Sequence, residues 1–167
     1  MRIIIDNQDY KLFEFDSESE LKNQGDVLIL PLDIESPRKF YKIEIGNTVL
    51  GFLNGGHGIK PQVKRISNVL YSVSTDMDIF LVNIELEDII NKRLESIIYE
   101  VYPYSEVIII ICELDIYCVN YQELSIQWHI PIDDIITDYR INGDNIYVMT
   151  DVTEYSIDLV TGNLGLC

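Results

Sequence analysis

The chain has 167 residues, of which 47% are apolar, and its 28 acidic and 12 basic residues give a net charge of −16. This apolar fraction is ample for a folded core and excludes a disordered chain, and no run approaches the ~18 consecutive apolar residues of a membrane-spanning helix. A strongly anionic chain is repelled by phosphate backbones and anionic lipid, so neither nucleic-acid binding nor membrane binding is expected.

The first 60 residues predict short β-strands joined by tight turns. Alternating or continuous apolar patterns bounded by turn residues indicate strands, here over Arg2–Asp6, Asp9–Phe15, Val27–Leu30, Phe40–Ile45 and Thr48–Leu53. Because Val27–Leu30 is apolar throughout, we expect that strand to be buried. Between the second and third strands, Asp16 or Ser17 is expected to cap one helical turn that runs to Lys22.

A unit of about 38 residues repeats in the second half of the chain. When residues 97–125 are laid over residues 135–163, the equivalent pairs include Ile108 and Ile146, Tyr117 and Tyr155, and Asn120 and Asp158. A looser, earlier copy ends in Asp78–Asn83, which echoes Asp115–Asn120. Periods near 40 residues that consist of short strands are typical of stacked β units such as propeller blades.

Each copy is predicted to contain consecutive antiparallel strands. The alternating strands that begin the copies are predicted around Val69, Tyr71 and Val73, then Ile97, Tyr99 and Val101, then Ile135, Thr137, Tyr139 and Ile141. The strand that follows is strongly apolar, most clearly over Val107–Cys112, which indicates burial on both faces.

One segment between the copies has helical spacing. Leu86, Ile90 and Leu94 recur at the period of a helix, so a short helix is expected over about residues 86–94. The repeat alignment competes with this helix further along, because it requires a strand from Ile97 onward.

These patterns predict a mainly β fold of antiparallel repeat hairpins of about 38 residues, propeller-like or sandwich, with at most one or two short helices. We expect a single domain over residues 1–167, with N-terminal β-hairpins over residues 1–60 and a β-repeat region over residues 66–167. The pattern leaves open whether the repeats close into a ring.

Two segments resemble blades of the quinoprotein-like β-propeller repeats. In those repeats a strand leads into an Asp-x-x-Thr-Gly turn and then into a strand that ends in Trp. Asp158–Gly162 matches the turn in Thr153–Leu164, and Trp128 matches the terminal aromatic in Glu113–Trp128. The resemblance covers about residues 95–167. It implies a binding scaffold and carries over no cofactor residues.

The most unusual local sequence is the glycine-rich segment from Asn54 to Pro61. Gly55 and Gly56 could turn backbone N–H groups toward an anion, and His57 and Lys60 could add charge, which predicts an anion-binding loop. The segment lacks the Gly-Lys-Ser/Thr ending of a phosphate-binding P-loop. The alternative is a flexible connecting loop with His57 at the surface.

No catalytic or metal motif stands out. His129 could form a Cys–His–Asp catalytic set with Cys112 or Cys118 and a nearby aspartate, but the spacing in the sequence does not require these side chains to meet. A partly buried histidine beside Trp128 is the alternative. Two histidines and scattered carboxylates form no ligand motif. We therefore expect no catalytic residue, no metal and no cofactor.

Acidic residues are concentrated in the second half of the chain. Residues 94–167 contain 13 acidic residues and one base, Arg140, for a net charge of −12. Asp133, Asp134 and Asp138 form the tightest cluster, shortly after Trp128, and these four residues are the predicted binding site for a basic protein partner. The alternative is that acidity only keeps a β-rich protein soluble.

The leading hypothesis for function is a non-catalytic cytoplasmic binding protein, an acidic immunity protein or inhibitor that occludes a basic partner. A β-repeat scaffold module of a larger assembly is the alternative, and an enzyme that uses the Gly-His loop is a third. Cysteines at positions 112, 118 and 167 lack metal-site spacing, and the N-terminus turns acidic too early for a secretory signal. Both features favour a reducing cytoplasm.

Overall fold

The computed structural model describes residues 1–25, 27–30 and 36–166. Strands account for 58% of these described residues and helix for 3%, which confirms the prediction of a mainly β fold. The described helix is α1 (Glu18–Lys22). The described strands are β1 (Arg2–Asp6), β2 (Lys11–Phe15), β3 (Leu28–Leu30), β4 (Lys39–Ile45), β5 (Thr48–Asn54), β6 (Gln62–Arg65), β7 (Leu70–Thr75), β8 (Asp78–Asn83), β9 (Asp88–Arg93), β10 (Ile98–Tyr104), β11 (Val107–Cys112), β12 (Asp115–Asn120), β13 (Ser125–Pro131), β14 (Asp138–Asn142), β15 (Asn145–Met149), β16 (Glu154–Asp158) and β17 (Leu164–Leu166).

These strands form four sheets. The first has the order β1-β2-β4-β5-β3, in which β3 runs parallel to β5 and the other pairs are antiparallel. The other three have four strands each in sequence order, β6 to β9, β10 to β13 and β14 to β17. Each of these three sheets is therefore one unit of consecutive strands with short links, as the repeat predicted.

Internal contacts divide the chain into two compact units, Met1–Lys92 and Arg93–Cys167. The first two sheets belong to the first unit and the last two sheets to the second. The expectation of a single domain over residues 1–167 remains a prediction.

The first unit has its core between its two sheets. The buried apolar residues of this core come from β2, β4, β5, β6, β7 and β8, and they are Leu12, Tyr41, Ile43, Ile45, Leu50, Phe52, Val63, Tyr71, Val73, Phe80 and Val82. The rings of Phe52 and Phe80 meet edge to face at 5.3 Å between centroids. A smaller cluster on the other side of the first sheet packs Leu21 of α1 against Phe13, Phe15 and Leu53.

The second unit is organised in the same way. Its core joins one face of the β10–β13 sheet to the β14–β17 sheet, and its buried residues are Ile109, Ile111, Ile116, Cys118, Ile130, Ile132, Ile136, Ile146, Val148, Ile157 and Leu159. On β11 every residue from Ile108 to Cys112 is fully buried. The prediction that this strand is buried on both faces is therefore confirmed.

Strand pairing confirms the 38-residue register. Ile108 pairs with Val119 in one sheet, as Ile146 pairs with Ile157 in the next. Tyr117 pairs with Ile110 as Tyr155 pairs with Val148. Ile108, Ile146 and Tyr117 are buried, and Tyr155 packs half-buried against the second-unit core.

The link after the third strand of each repeat also recurs in its geometry. The Oδ1 atoms of Asn83, Asn120 and Asp158 each accept a hydrogen bond from the backbone N–H two residues later. The residue four positions after each has a left-handed backbone, with φ of +54° at Glu87, +53° at Leu124 and +71° at Gly162. An Asn or Asp side chain stabilises such a turn locally, so the sequence chemistry of the repeat determines this link.

The assignment of the first copy was wrong by one strand. The segment around Tyr71 is β7, where Tyr71 pairs with Val82 as Ile108 pairs with Val119. β7 therefore corresponds to the apolar second strand of the later copies, and the first strand of its sheet is β6. Alternation alone could not separate the two, because first and second strands both carry apolar residues at a period of two.

The helix expected over residues 86–94 is also wrong. Residues 88–93 form β9, the outer strand beside β8, and Leu86 is 73% exposed in the preceding turn. Hydrogen bonding to β8 and the packing of Ile89 on the first-unit core favour the strand. Local helical spacing was overridden by the edge of the sheet.

Two predictions near the N-terminus have different outcomes. α1 begins as predicted, because the Ser17 side chain accepts from the Glu20 N–H as its N-cap. The strand predicted over Val27–Leu30 forms as β3 but is not buried, since Leu28 is 50% exposed and Ile29 and Leu30 are half-buried. As a strand added in parallel outside β5, β3 has one open edge.

Truncating the equivalent isoleucines should be equally costly. Ile108→Ala and Ile146→Ala each remove a fully buried side chain, so each is expected to lower the free energy of unfolding by about 2–5 kcal/mol. Urea denaturation followed by circular dichroism measures this. Ile126→Ala, at a side chain 42% exposed, is the control and should cost less than about 1 kcal/mol. A loss at Ile108 no larger than at Ile126 would contradict the burial of β11.

Candidate functional site

Three links of the second unit form one continuous loop surface. They are the β11–β12 turn (residues 113–114), the β13–β14 loop (residues 132–137) with Asp138, and the β15–β16 turn (residues 150–153). The Ile132 N–H donates to the Leu114 carbonyl at 2.8 Å, and the Ile136 N–H donates to the Glu113 carbonyl at 2.9 Å. The Thr137 N–H donates to the Met149 carbonyl at 2.8 Å. We call this surface the acidic end.

The acidic end combines carboxylates with exposed apolar side chains. Its carboxylates are those of Glu113, Asp133, Asp134, Asp138 and Asp151. Among the residues that the structure describes, none of the five is in an ion pair. Leu114, Ile135 and Val152 are 40%, 48% and 79% exposed. One apolar residue therefore comes from each of the three links, with acidic neighbours in the same links.

Two of the predicted aspartates are oriented by their own backbone. The Asp134 Oδ1 atom accepts from the Ile135 N–H, and the Asp138 Oδ1 atom accepts from the Tyr139 N–H, both at 2.8 Å. Asp133 is exposed. The structure thus places all three aspartates on the acidic end, on or beside the same loop.

Trp128 does not join them. A Cβ atom on Gly162 would lie 2.7 Å from Cγ of Trp128, so the indole packs directly on that glycine in the turn after β16. Strand pairing places Asp158, before that turn, beside Asn145, whereas Asp138 pairs with Met149 at the other end of the sheet. Trp128 is therefore a packing residue at the end away from the aspartates.

The turn that receives Trp128 has the hydrogen bonds expected of the Asp-x-x-Thr-Gly pattern. Asp158 Oδ1 accepts from the N–H groups of Val160 and Thr161 at 3.0 and 2.8 Å, and from the Thr161 hydroxyl at 2.8 Å. The Thr161 hydroxyl, then the Thr161 N–H, lower the pKa of the Asp158 carboxyl. Gly162 donates to the Asp158 carbonyl at 2.8 Å.

Beneath the acidic end lies a polar network that the sequence did not reveal. Asp115 is 6% exposed; its Oδ2 accepts from the Ser96 hydroxyl at 2.7 Å, and its Oδ1 lies 2.6 Å from Nε2 of His129. The His129 ring stacks on Tyr117 at 4.2 Å. The one sign of this network in the sequence is that Asp78 and Asp115 occupy equivalent positions in two copies of the repeat.

This network does not have the order of a hydrolytic triad. In such a triad the histidine lies between the nucleophile and the carboxylate, whereas here Asp115 lies between Ser96 and His129. Cys112 is fully buried, and burial, followed by the negative charge of Asp115, raises the pKa of its thiol. Cys118 pairs in register with Trp128 and is also buried. The arrangement favours a structural role, and the absence of catalysis remains a prediction.

The Gly-His loop is held by two buried side chains from the first unit. The Gly55 N–H donates to Oδ2 of Asp76 at 2.5 Å, and the Gly56 N–H donates to Oδ1 of Asn54 at 2.7 Å. Asn54 is fully buried and also donates to the Ile59 carbonyl at 3.0 Å. Both predicted glycine donors are therefore engaged within the chain, while His57 and Lys60 are exposed.

The described residues show neither a metal-binding cluster nor a membrane-spanning helix. Residues 1–25, 27–30 and 36–166 contain no group of three or more His, Cys, Asp or Glu side chains arranged to hold a metal ion. In the same part of the chain, no helix has the length and apolar character needed to cross a membrane.

Comparison with known proteins identifies the fold. No protein-family model and no curated protein sequence matches the chain. Among solved structures, the computationally designed Ika8 protein is 12% identical with a TM-score of 0.55, over 79% of this chain and 46% of that one. AztD from Citrobacter koseri is 10% identical with a TM-score of 0.52, over 77% and 42%. The CNH domain of AfRom2 is 8% identical with a TM-score of 0.51, over 80% and 48%.

AztD and the CNH domain are β-propeller-like proteins. This chain is similar to them in fold. At these identities the likeness extends to the fold alone, and the chain spans less than half the length of each of these three solved structures.

The contact between Trp128 and Gly162 should tolerate no added methyl group. Gly162 has φ of +71° and lies against the indole, so Gly162→Ala is expected to lower the free energy of unfolding by about 2–4 kcal/mol through backbone strain and overpacking. Gly165→Ala is the matched control, since a Cβ there would meet only the Ser156 carbonyl at 3.7 Å. Equal melting temperatures for the two variants would refute the packing described.

The Asp158 turn should lose stability in acid. Hydrogen bonds hold the folded pKa of Asp158 below its ordinary value. The stability that these hydrogen bonds contribute is therefore fully present when the pH is above the ordinary carboxyl pKa. It is lost as the pH falls through the lowered pKa of the folded state. Thr161→Val should raise the pKa of Asp158 toward the ordinary carboxyl range in a carbon-13 NMR titration. Thr137→Val, whose hydroxyl bonds the Met149 carbonyl, should leave it unchanged; an unchanged pKa in Thr161→Val would show that the hydroxyl bond is absent in solution.

Proposed function

We propose that this chain is a non-catalytic binding protein whose acidic end docks onto a basic surface of a protein partner. In its most specific form, the protein is an immunity protein or inhibitor that occludes the basic functional surface of that partner. The observation that carries the proposal is the acidic end itself, where five carboxylates outside any described ion pair lie in or beside the same links as the exposed Leu114, Ile135 and Val152.

The apolar residues supply the part of such an interface that excludes water. Side chains that anchor protein interfaces are desolvated at the centre, while charged residues occupy the rim. Burial of apolar surface contributes roughly 25 cal/mol per Å² removed from water. Three exposed apolar residues on adjoining links fit the centre of a small interface.

The carboxylates determine the charge of the partner. Between residues 94 and 139 the chain has no Lys or Arg, and Arg140 is held by Glu154 at 3.0 Å. Complementary charge raises the association rate, and like charge repels wrong partners. A basic protein is therefore favoured, and nucleic acid or anionic lipid is disfavoured by the net charge of −16.

The proposed compartment is the reducing cytoplasm. Cys112 and Cys118 are unpaired thiols and both are buried. Reduced, buried cysteines agree with a compartment in which disulfides are rare.

The quinoprotein-like character of the repeats is likewise proposed. Its support is the hydrogen-bonded Asp158–Gly162 turn and the packing of Trp128 on Gly162, which lies in the following sheet. A second function, as a β-repeat scaffold module within a larger assembly, is favoured by one observation. The three solved structures named above are each more than twice as long as the part of them that this chain matches.

The test compares three baits in parallel. The wild-type chain, a triple variant (Asp133→Asn, Asp134→Asn, Asp138→Asn) and a control triple variant (Glu85→Gln, Glu87→Gln, Asp88→Asn) are used to capture proteins from the native host. The control residues are three exposed acids of the first unit, Glu85 and Glu87 in the β8–β9 link and Asp88 at the start of β9, so both triples remove the same charge. A specific partner should be identified with the wild type and the control and be depleted with the first triple.

Binding kinetics with the purified partner then distinguish the effect of charge on the association rate from the effect of apolar contact on the dissociation rate. Neutralising the three aspartates should slow association several-fold at low salt and have little effect at high salt, because salt screens rim charges. Val152→Ser should instead accelerate dissociation. Association that both triples alter equally, or that is insensitive to ionic strength, would refute the acidic end as the docking surface and favour the scaffold function.

A further inference from the structure

The hairpin that joins β14 to β15 has a chemically reactive pair of residues at its tip. The chain contains two Asn-Gly pairs, Asn54–Gly55 and Asn142–Gly143. In such a pair the backbone nitrogen of the glycine can attack the side-chain carbonyl carbon of the asparagine, because glycine has no Cβ to hinder the approach and its backbone rotates freely. The two pairs lie in opposite surroundings, so the fold decides which of them reacts.

The Asn142–Gly143 pair is open to water. Asn142, Gly143 and the following Asp144 are all exposed, and a Cβ atom on Gly143 would meet no atom beyond its chain neighbours within 4 Å. Within residues 1–25, 27–30 and 36–166, no group bonds the Asn142 side chain or accepts from the Gly143 N–H. The attacking nitrogen and the amide that it attacks are therefore both unrestrained by hydrogen bonds.

The backbone at this tip is suited to rearrangement. Asn142 pairs with Asn145 as the last pair of the β14–β15 ladder, and the end of a ladder is where strand pairing opens most readily. Gly143 has φ of +59°, a region that glycine enters without strain. Rotation of Asn142 into the conformation that the reaction needs therefore breaks only this last pair.

The Asn54–Gly55 pair is held at each of the groups that are free in the other pair. Asn54 is fully buried, and its Nδ2 donates to the Ile59 carbonyl at 3.0 Å and to the Thr75 hydroxyl at 3.2 Å. Its Oδ1 accepts from a backbone N–H of the same loop at 2.7 Å. The attacking nitrogen, that of Gly55, donates to Oδ2 of Asp76 at 2.5 Å. These four hydrogen bonds must open before this pair can react.

We propose that Asn142 is a site of spontaneous deamidation, with water as the second reactant. The Gly143 nitrogen forms a bond to Cγ of Asn142, and the side-chain nitrogen leaves as ammonia with the proton of the attacking N–H, which gives a five-membered succinimide. Water then opens this ring at one of its two carbonyl carbons. Opening at Cγ gives aspartate. Opening at the backbone carbonyl gives isoaspartate, in which the main chain continues through Cβ and Cγ.

Both products change the tip of the hairpin. Aspartate adds a carboxylate next to Asp144, and isoaspartate also lengthens the main chain by one carbon atom. Asp144 is fixed, because its Oδ1 accepts from the Tyr104 hydroxyl at 2.5 Å and its carbonyl accepts from the Leu159 N–H at 2.8 Å. The two-residue link between β14 and β15 therefore cannot absorb the extra atom without a shift in the pairing of the strands.

Peptide mapping by mass spectrometry tests the inference. The folded full chain and the same chain unfolded in urea are kept in mildly alkaline buffer, which favours loss of the backbone proton, and are digested at intervals. In the folded chain we expect the Asn142 peptide to convert to the aspartyl and isoaspartyl forms. The Asn54 peptide should convert at least about tenfold more slowly, because the hydrogen bonds at its reacting groups must open first.

The unfolded chain is the reference for these rates. In urea the two pairs should react at the same rate, since neither retains its surroundings. Equal rates at the two pairs in the folded chain would overturn the inference. It would also be overturned if Asn142 in the folded chain stayed unchanged over a period in which the unfolded chain reacts.

Variants assign the change to this pair and separate its two effects. Asn142→Gln keeps an amide at the tip but requires a less favourable six-membered ring, so no product should form at residue 142. The matched control is Asn163→Gln, at an exposed asparagine that leucine follows, and it should age as the wild type does. Asn142→Asp carries the new charge on a main chain of ordinary length.

Melting curves then measure the effect of the longer main chain. The isoaspartyl fraction of the aged wild type should melt below freshly prepared Asn142→Asp, whereas aged Asn142→Gln should melt as the fresh variant does. An isoaspartyl fraction that melts with Asn142→Asp would refute the shift in strand pairing. None of these measurements involves a partner, so their outcome is independent of the proposed function.

Discussion

Four strands of this protein, β7, β8, β11 and β12, are buried on both faces along most of their length, and much of the architecture follows from that burial. On β11, residues Ile108 to Cys112 are withdrawn from water, with Ile109 and Ile111 packed against the β14–β17 sheet. A single four-stranded sheet cannot cover such a strand, so within the second unit the β10–β13 sheet depends on its packing against the β14–β17 sheet. At roughly 25 cal/mol per Å² of apolar area, this stacking outweighs the local preferences of any one strand.

In stacked sheets the links between strands lie at the two ends of the strands, where fewer of their residues take part in the core. Binding residues in β folds collect on loops that a rigid framework positions. In the second unit one end carries Glu113, the aspartates of residues 133–138 and Asp151. The other end carries the Asp158 turn, whose carboxylate bonds its own backbone and whose glycine receives Trp128. The same repeat therefore produces one end whose turn packs against the neighbouring sheet and one end whose carboxylates lie outside any described ion pair.

Buried polar groups support the exposed ends in both units. Asp115 joins Ser96 and His129 beneath the acidic end, and Asn54 with Asp76 holds the backbone of the Gly-His loop. A buried polar group is costly unless it is hydrogen-bonded, so these residues specify one loop conformation rather than adding much stability. Two loops that differ in sequence are thus held by the same physical means.

Local chemistry in the sequence was sufficient for the β class, the buried apolar strand Val107–Cys112, the 38-residue register and the Asp158 turn. Period-two alternation and side-chain-to-backbone bonds within a few residues do not depend on distant contacts. Position in the sheets decided the rest. Residues 88–93 form the strand β9 because they hydrogen-bond to the edge of β8. β3 is only half-buried because it lies outside β5. Three contacts join residues that lie 19 to 34 positions apart in the sequence: Gly55 with Asp76, Trp128 with Gly162, and Ser96 with Asp115. No local period in the sequence encodes pairs so far apart. Only the packing of the sheets brings these residues together.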